Sequence, residues 1–216
     1  MTVLVSLFLP AILWAQEIPL GEVVEKLQNK YRQTTTLSAD FHQINYYKAV
    51  NQKQEAGGKV WIKKPGLMRW DYSRPEKNQV ISDGKTLWMY TPADKQVIKS
   101  KIDEAFGGTP QDFLMGLGDL SRRFNISYAD PPRNPQGFLM LNLTPSEKEP
   151  TLSKIMLEVD PRDFEVQRFS LLDLYGNLTT LIFANSKFNG ELADSWFRFK
   201  IPPGVEVISP PRGSGP

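Results

Sequence analysis

The sequence predicts a mainly β protein built on one wide antiparallel sheet of about eleven strands. Three observations carry this. Short runs rich in β-branched and aromatic residues recur along most of the 216 residues. Many of them alternate apolar and polar side chains with period two, as strands do. The runs are separated by brief Gly, Pro, Asn and Asp turns rather than by helical crossovers, so sequential strands are expected to pair antiparallel. A sheet this wide is expected to curl on itself.

Taken in order, Val3 to Ala15 is apolar and uncharged. It is too short for a bilayer span, which takes roughly 20 residues. It reads as the hydrophobic region of an export signal, so residues 1–15 are expected to be cleaved after Ala15. Residues 16–208 then form a single domain, and 209–216, rich in Pro and Gly, form a disordered tail. Leu20, Val23, Val24, Leu27 and Tyr31 fall at helical spacing between charged residues, predicting an amphipathic N-terminal helix from Leu20 to Thr34. Strands are predicted at 37–41, 60–62, 67–73, 79–82, 86–90, 96–99, 125–128, 138–143, 154–159, 165–172, 178–183 and 196–201. Asp83-Gly84 predicts a two-residue type I′ hairpin. Thr109-Pro110-Gln111-Asp112 opens a second, short helix, with Thr as N-cap and Pro in the first turn. Its apolar face is Phe113, Leu114, Leu117 and Leu120, and Gly116 and Gly118 weaken it. Such a helix is either a movable cover or a fixed plug at the end of the sheet.

The composition excludes several functions. Net charge is +2, with no arginine-rich stripe, so nucleic acid is not an expected partner. One histidine, His42, and no cysteine leave almost nothing for a Ser-His-Asp or Cys-His site, a zinc site or a disulfide framework. Gly57-Gly58 and Gly107-Gly108 lack the spacing of a phosphate loop. No carboxylate pair stands out, since Asp83, Asp94, Asp160 and Asp163 all read as turn residues. The chain is therefore not expected to be an enzyme, and no cofactor or metal is expected. Without a cysteine after the signal, a lipid anchor is not expected either.

The stretch Lys63 to Tyr72 poses the functional question. Alternation puts Met68, Trp70 and Tyr72 on one side of a strand, and Leu67, Arg69 and Asp71 on the other. That aromatic face is either the protein's own core or a wall for something that is not protein.

Six segments, in this order, resemble the LolA family of periplasmic outer-membrane lipoprotein carriers. They are ADFHQ (39–43), GGKVWIKKPGLMRWDYSRP (57–75), VISDGKTLWMYTPADKQV (80–97), GTPQDFLMGL (108–117), DLYGNLTTLIFAN (173–185) and FRFKIPPGVEV (197–207). The resemblance implies an incomplete, unclosed antiparallel β-barrel with an N-terminal helix and short lid helices over an apolar cavity. It implies a periplasmic chaperone, soluble after signal cleavage. Such a chaperone accepts acylated lipoproteins from an inner-membrane lipoprotein-releasing ABC transporter and delivers them to an outer-membrane lipoprotein receptor. A monomer is expected. On this resemblance, Trp61, Met68, Trp70, Tyr72, Trp88, Tyr90, Leu139 and Phe183 line the cavity. Phe113, Leu114 and Leu117 belong to the lid. Lys64 takes the place of an arginine that latches it, with a point charge instead of a planar fork. The same pocket physics would also serve a carrier of another amphiphile, such as a glycolipid, or a non-enzymatic sensor domain of this fold.

Overall fold

The N-terminal helix forms where the periodicity places it. In the computed structural model, which describes residues 17–102 and 120–209, α1 runs from Leu20 to Gln33. The Pro19 carbonyl accepts from the N–H groups of Glu22 and Val23 at its start. Glu22 lies in the first turn, and Lys30 and Arg32 in the last, each favoured by the helix dipole. At the C-terminus the backbone N–H and Oγ1 of Thr34 both donate to the Lys30 carbonyl. Val23, Val24, Leu27 and Tyr31 are buried, as their spacing requires.

Twelve strands follow: β1 (Thr36–Tyr47), β2 (Gln52–Lys63), β3 (Leu67–Arg74), β4 (Gln79–Asp83), β5 (Thr86–Thr91), β6 (Gln96–Lys101), β7 (Phe124–Arg133), β8 (Leu139–Pro145), β9 (Leu152–Val159), β10 (Val166–Asp173), β11 (Leu178–Phe188) and β12 (Glu206–Ile208). A one-turn helix α2 (Leu120–Arg123) leads into β7. All twelve form one sheet in the order β12-β6-β5-β4-β3-β2-β1-β11-β10-β9-β8-β7. Only the β12–β6 pair is parallel. The sequence neighbours β6 and β7 thus lie toward opposite margins, and the sheet remains an unclosed barrel. The margins carry features that discourage edge pairing: Pro131 and Pro132 in β7, and a β12 only three residues long.

Three expectations need correction. The first hairpin is much longer than the predicted segments, because β1 and β2 pair over twelve residues each, from Thr36↔Lys63 to Tyr47↔Gln52. Backbone pairing carries the exposed polar half of that hairpin, which hydrophobic alternation does not mark. The turn at Asp83-Gly84 is not type I′: only Gly84 has positive φ, and the Asp83 carboxylate accepts from the N–H groups of Lys85 and Thr86. The predicted strand 196–201 is instead a short 3₁₀ turn, Asp194–Phe197, followed by an extended segment leading to β12.

Two apolar layers result. The main core lies on the inner face of the curled sheet and takes in α1 (Val23, Leu27, Tyr31) with side chains from β1 to β3 and β7 to β11. A second, smaller layer lies on the outer face of the β3–β6 half. There Ile81, Val97 and Phe197 are buried outside the main cluster.

Candidate functional site

The inner face can be read from the strand registers. Met68 pairs with Ile62 on β2 and Ser82 on β4; Trp70 pairs with Val60 and Val80; Tyr72 pairs with Gly58. Gly58 is required here, since a Cβ would lie 1.9 Å from the Asp71 carbonyl oxygen. The space above it is taken by the Phe41 ring, which meets Trp70 edge-on at 4.7 Å and Tyr72 at 5.0 Å between centroids. Phe41 pairs with Phe183 on β11, and Leu139 enters the same cluster from β8. Five of the eight expected lining residues therefore share this face: Met68, Trp70, Tyr72, Leu139 and Phe183.

The other three do not, which corrects the expected lining. Trp61 pairs with Arg69, Trp88 with Ile81 and Lys99, and Tyr90 with Gln79 and Val97, all on the outer face. There the C-terminal segment covers them. Trp196 stacks on Trp61 at 5.3 Å, and Phe199 lies 6.1 Å from Trp88 and 5.5 Å from Tyr90. Arg69 donates to the Trp196 carbonyl, and Lys63 donates to the Leu192 carbonyl and pairs with Asp194 at 2.6 Å. The signal for this was in the sequence: Trp61 shares its parity with Lys59 and Lys63, whereas Val60 and Ile62 carry the inner parity. Aromatic size alone does not tell which face a residue takes.

The inner face changes character along its length. On β1, Leu37, Ala39 and Phe41 give way to Gln43 and Asn45. On β11, Phe183 and Leu181 give way to Thr179, which pairs with Asn45. The Tyr72 hydroxyl donates to Gln43 Oε1 at 3.0 Å, and Gln43 Nε2 donates to Asn45 Oδ1 at 3.1 Å. Burial pushes the Tyr72 phenol above its ordinary pKa, so it stays a neutral donor. Among the described residues, Trp70 Nε1 and Ser100 Oγ are buried on this face without a hydrogen-bond partner.

Helix α1 covers the apolar end. The buried Tyr31 phenol accepts from the N–H of Val166, and burial raises its pKa. The Lys64 ammonium donates to the Tyr31 carbonyl in the last turn of α1. Loss of hydration pulls the Lys64 pKa below its usual value. The expected latch residue is thus joined to α1. The expected lid residues Phe113, Leu114 and Leu117 lie outside the described residues. Beside α1, a groove of about 610 Å³ runs between Leu20, Val24 and Gln28 on one side and Phe124 and Ile126 of β7 on the other. Among the described residues, the inner face is a large aromatic and aliphatic surface with one polar end.

Comparison with known proteins agrees with this architecture. Residues 32–200 match the family described as outer membrane lipoprotein carrier protein LolA. The outer-membrane lipoprotein carrier protein of Methylobacillus flagellatus is 28% identical over 207 residues, 96% of each chain. That of Chromobacterium violaceum is 33% identical over 175 residues, 81% of each chain. An uncharacterized conserved protein of Thermus thermophilus shares the fold, with a TM-score of 0.54 at 17% identity over 88% of this chain and 98% of its own. By sequence over most of its length, the chain belongs to the LolA family of outer membrane lipoprotein carrier proteins.

Proposed function

We propose that this chain is a periplasmic carrier that buries the acyl chains of lipoproteins against the inner face of its sheet. It acts as a monomer, without catalysis, after residues 1–15 are removed. It takes cargo from an inner-membrane lipoprotein-releasing transporter and yields it to an outer-membrane receptor. The observation that carries this reading is the continuous apolar inner face through Met68, Trp70, Phe41, Phe183 and Leu139, in a sheet whose two margins do not join. Family membership supports the nature of the cargo.

The need for such a carrier is energetic. Exposing each acyl CH₂ to water costs about 0.8 kcal/mol. A lipoprotein with two or three chains carries on the order of 40 such groups, so full exposure costs roughly 30 kcal/mol. Release from a membrane on that scale needs both an energy-using loader and a surface that covers most of the chains. The carrier must also let go. In this structure the inner face is already buried by the protein's own side chains, with Met68 and Leu139 fully covered. Cargo therefore replaces one set of apolar contacts with another, and the difference between the loaded and empty states stays small enough for release.

Native mass spectrometry of the chain from Gln16 onward, mixed with one lipoprotein in acylated and non-acylated forms, tests this. A one-to-one complex with the acylated form alone is expected. Equal binding to both forms, or to neither, overturns the reading.

A further inference from the structure

Trp70 has an indole N–H that no protein atom accepts, although its side chain is 2% exposed. A buried donor without a partner is costly, and most folds avoid one. An indole nitrogen can only donate, so no flip or rotation converts it into something the apolar neighbours would satisfy. Phe at this position would keep the ring packing against Phe41 without that cost.

Its place on the inner face is also specific. Toward Met68, the neighbouring positions are apolar: Ile62 and Leu37. In the other direction come the Tyr72 hydroxyl, Gln43 and Asn45, already linked by hydrogen bonds. Trp70 therefore stands where the lining turns from apolar to polar. An acyl ester or amide has the same order of parts: a hydrocarbon chain, a carbonyl acceptor, then a polar backbone.

We propose, building on the carrier reading above, that the Trp70 indole N–H is a hydrogen-bond donor to the acyl carbonyl oxygen of bound cargo. The hydrocarbon chain then runs past Met68, and the head group lies toward Tyr72, Gln43 and Asn45. Trp70 is thus a specificity residue: it favours acyl chains joined through a carbonyl over alkyl chains of equal length joined through an ether. The N–H that is unsatisfied in the empty protein is satisfied in the loaded one, which moves part of the binding energy from chain length to linkage chemistry.

The test compares 1-decanoylglycerol with 1-O-decylglycerol, which share head group and chain length and differ at the carbonyl. Both are titrated, below their micellar concentrations, into protein carrying ¹⁵N-labelled tryptophan. The Trp70 indole signal is assigned from its absence in Trp70→Phe. Both compounds are expected to bind, with the Trp70 indole proton moving downfield for the ester alone. Trp70→Phe is expected to lower the ester-over-ether affinity ratio roughly five- to tenfold, the size of one buried hydrogen bond, whatever the lost ring contact does to both affinities together. Undisturbed indole signals from the other tryptophans show that the variant is folded. Equal affinities with matching indole shifts overturn the carbonyl role and leave the carrier reading intact. Binding of neither compound overturns the inner face as an acyl site, and the carbonyl role with it.

Discussion

Lys64 illustrates how the place of a single residue in a turn decides what its side chain reaches. Its place before Pro65-Gly66 puts the ammonium at the β2–β3 corner, within reach of the last turn of α1. There it donates to the Tyr31 carbonyl. The bond sets a cation at the negative end of the helix dipole, while the lost hydration offsets part of the gain. Lys64→Met keeps most of the aliphatic stem and removes the charge. It is expected to cost about 1 kcal/mol, lowering Tm by roughly 2–4 °C for a domain of this size. A thermal melt followed by circular dichroism measures it; an unchanged Tm would show that the contact holds nothing. Met68, Trp70 and Tyr72 were legible as one face because alternation alone places them. Trp61 was misplaced because its size outweighed its parity with Lys59 and Lys63, and Trp88 and Tyr90 because β5 is apolar on both faces, so that only the strand registers tell its main-core side from the layer beneath the C-terminal segment.

At the scale of elements, what was legible followed burial. α1 and the cores of β3 to β6 and β8 to β11 are half-buried elements whose period shows in the sequence. The outer ends of β1 and β2, and the three-residue β12, are held by backbone pairing and leave no hydrophobic trace. The turn between β9 and β10 shows how a polar residue can specify local structure. Asp160 is 3% exposed, and its carboxylate accepts from Arg162 Nε and Nη2 and from the Arg162 backbone N–H. Its own carbonyl accepts from Phe164, which holds a positive φ. The Arg162 guanidinium, chiefly through these hydrogen bonds, keeps the Asp160 pKa below the ordinary carboxylate value. A carboxylate depressed in the folded state binds its proton less readily there than in the unfolded chain. Its stabilising contribution is therefore complete above the unfolded pKa and is lost as pH falls through the folded one. Denaturant midpoints measured from pH 6 down to pH 2 are expected to drop below about pH 4, and Asp160→Asn is expected to flatten part of that drop while starting from a lower midpoint at neutral pH. Parallel acid limbs for the two proteins would exclude Asp160 as a contributor.

For the whole molecule, the antiparallel order could be foreseen from short turns between strands, because each turn commits its two strands to neighbouring places. What turn chemistry does not encode is where a sheet stops. Here the decisive fact is the separation of β6 from β7, consecutive among these strands and lying toward opposite margins. That leaves a curled sheet whose apolar interior is nonetheless buried: Val60, Met68, Leu139 and Val159 are all 0% exposed. On the carrier reading proposed above, a ligand does not reach such a surface by diffusion alone. The protein must open first, and opening is a unimolecular step whose rate does not depend on ligand. Stopped-flow tryptophan fluorescence on mixing with 1-decanoylglycerol should therefore give an observed rate that rises with concentration and then levels off at the opening rate. The same plateau is expected for the ether analogue, since opening precedes any contact with Trp70, and the two compounds should differ in dissociation instead. A rate that rises linearly to the highest submicellar concentration would mean that the ligand engages a surface already exposed, and would move the site off the inner face.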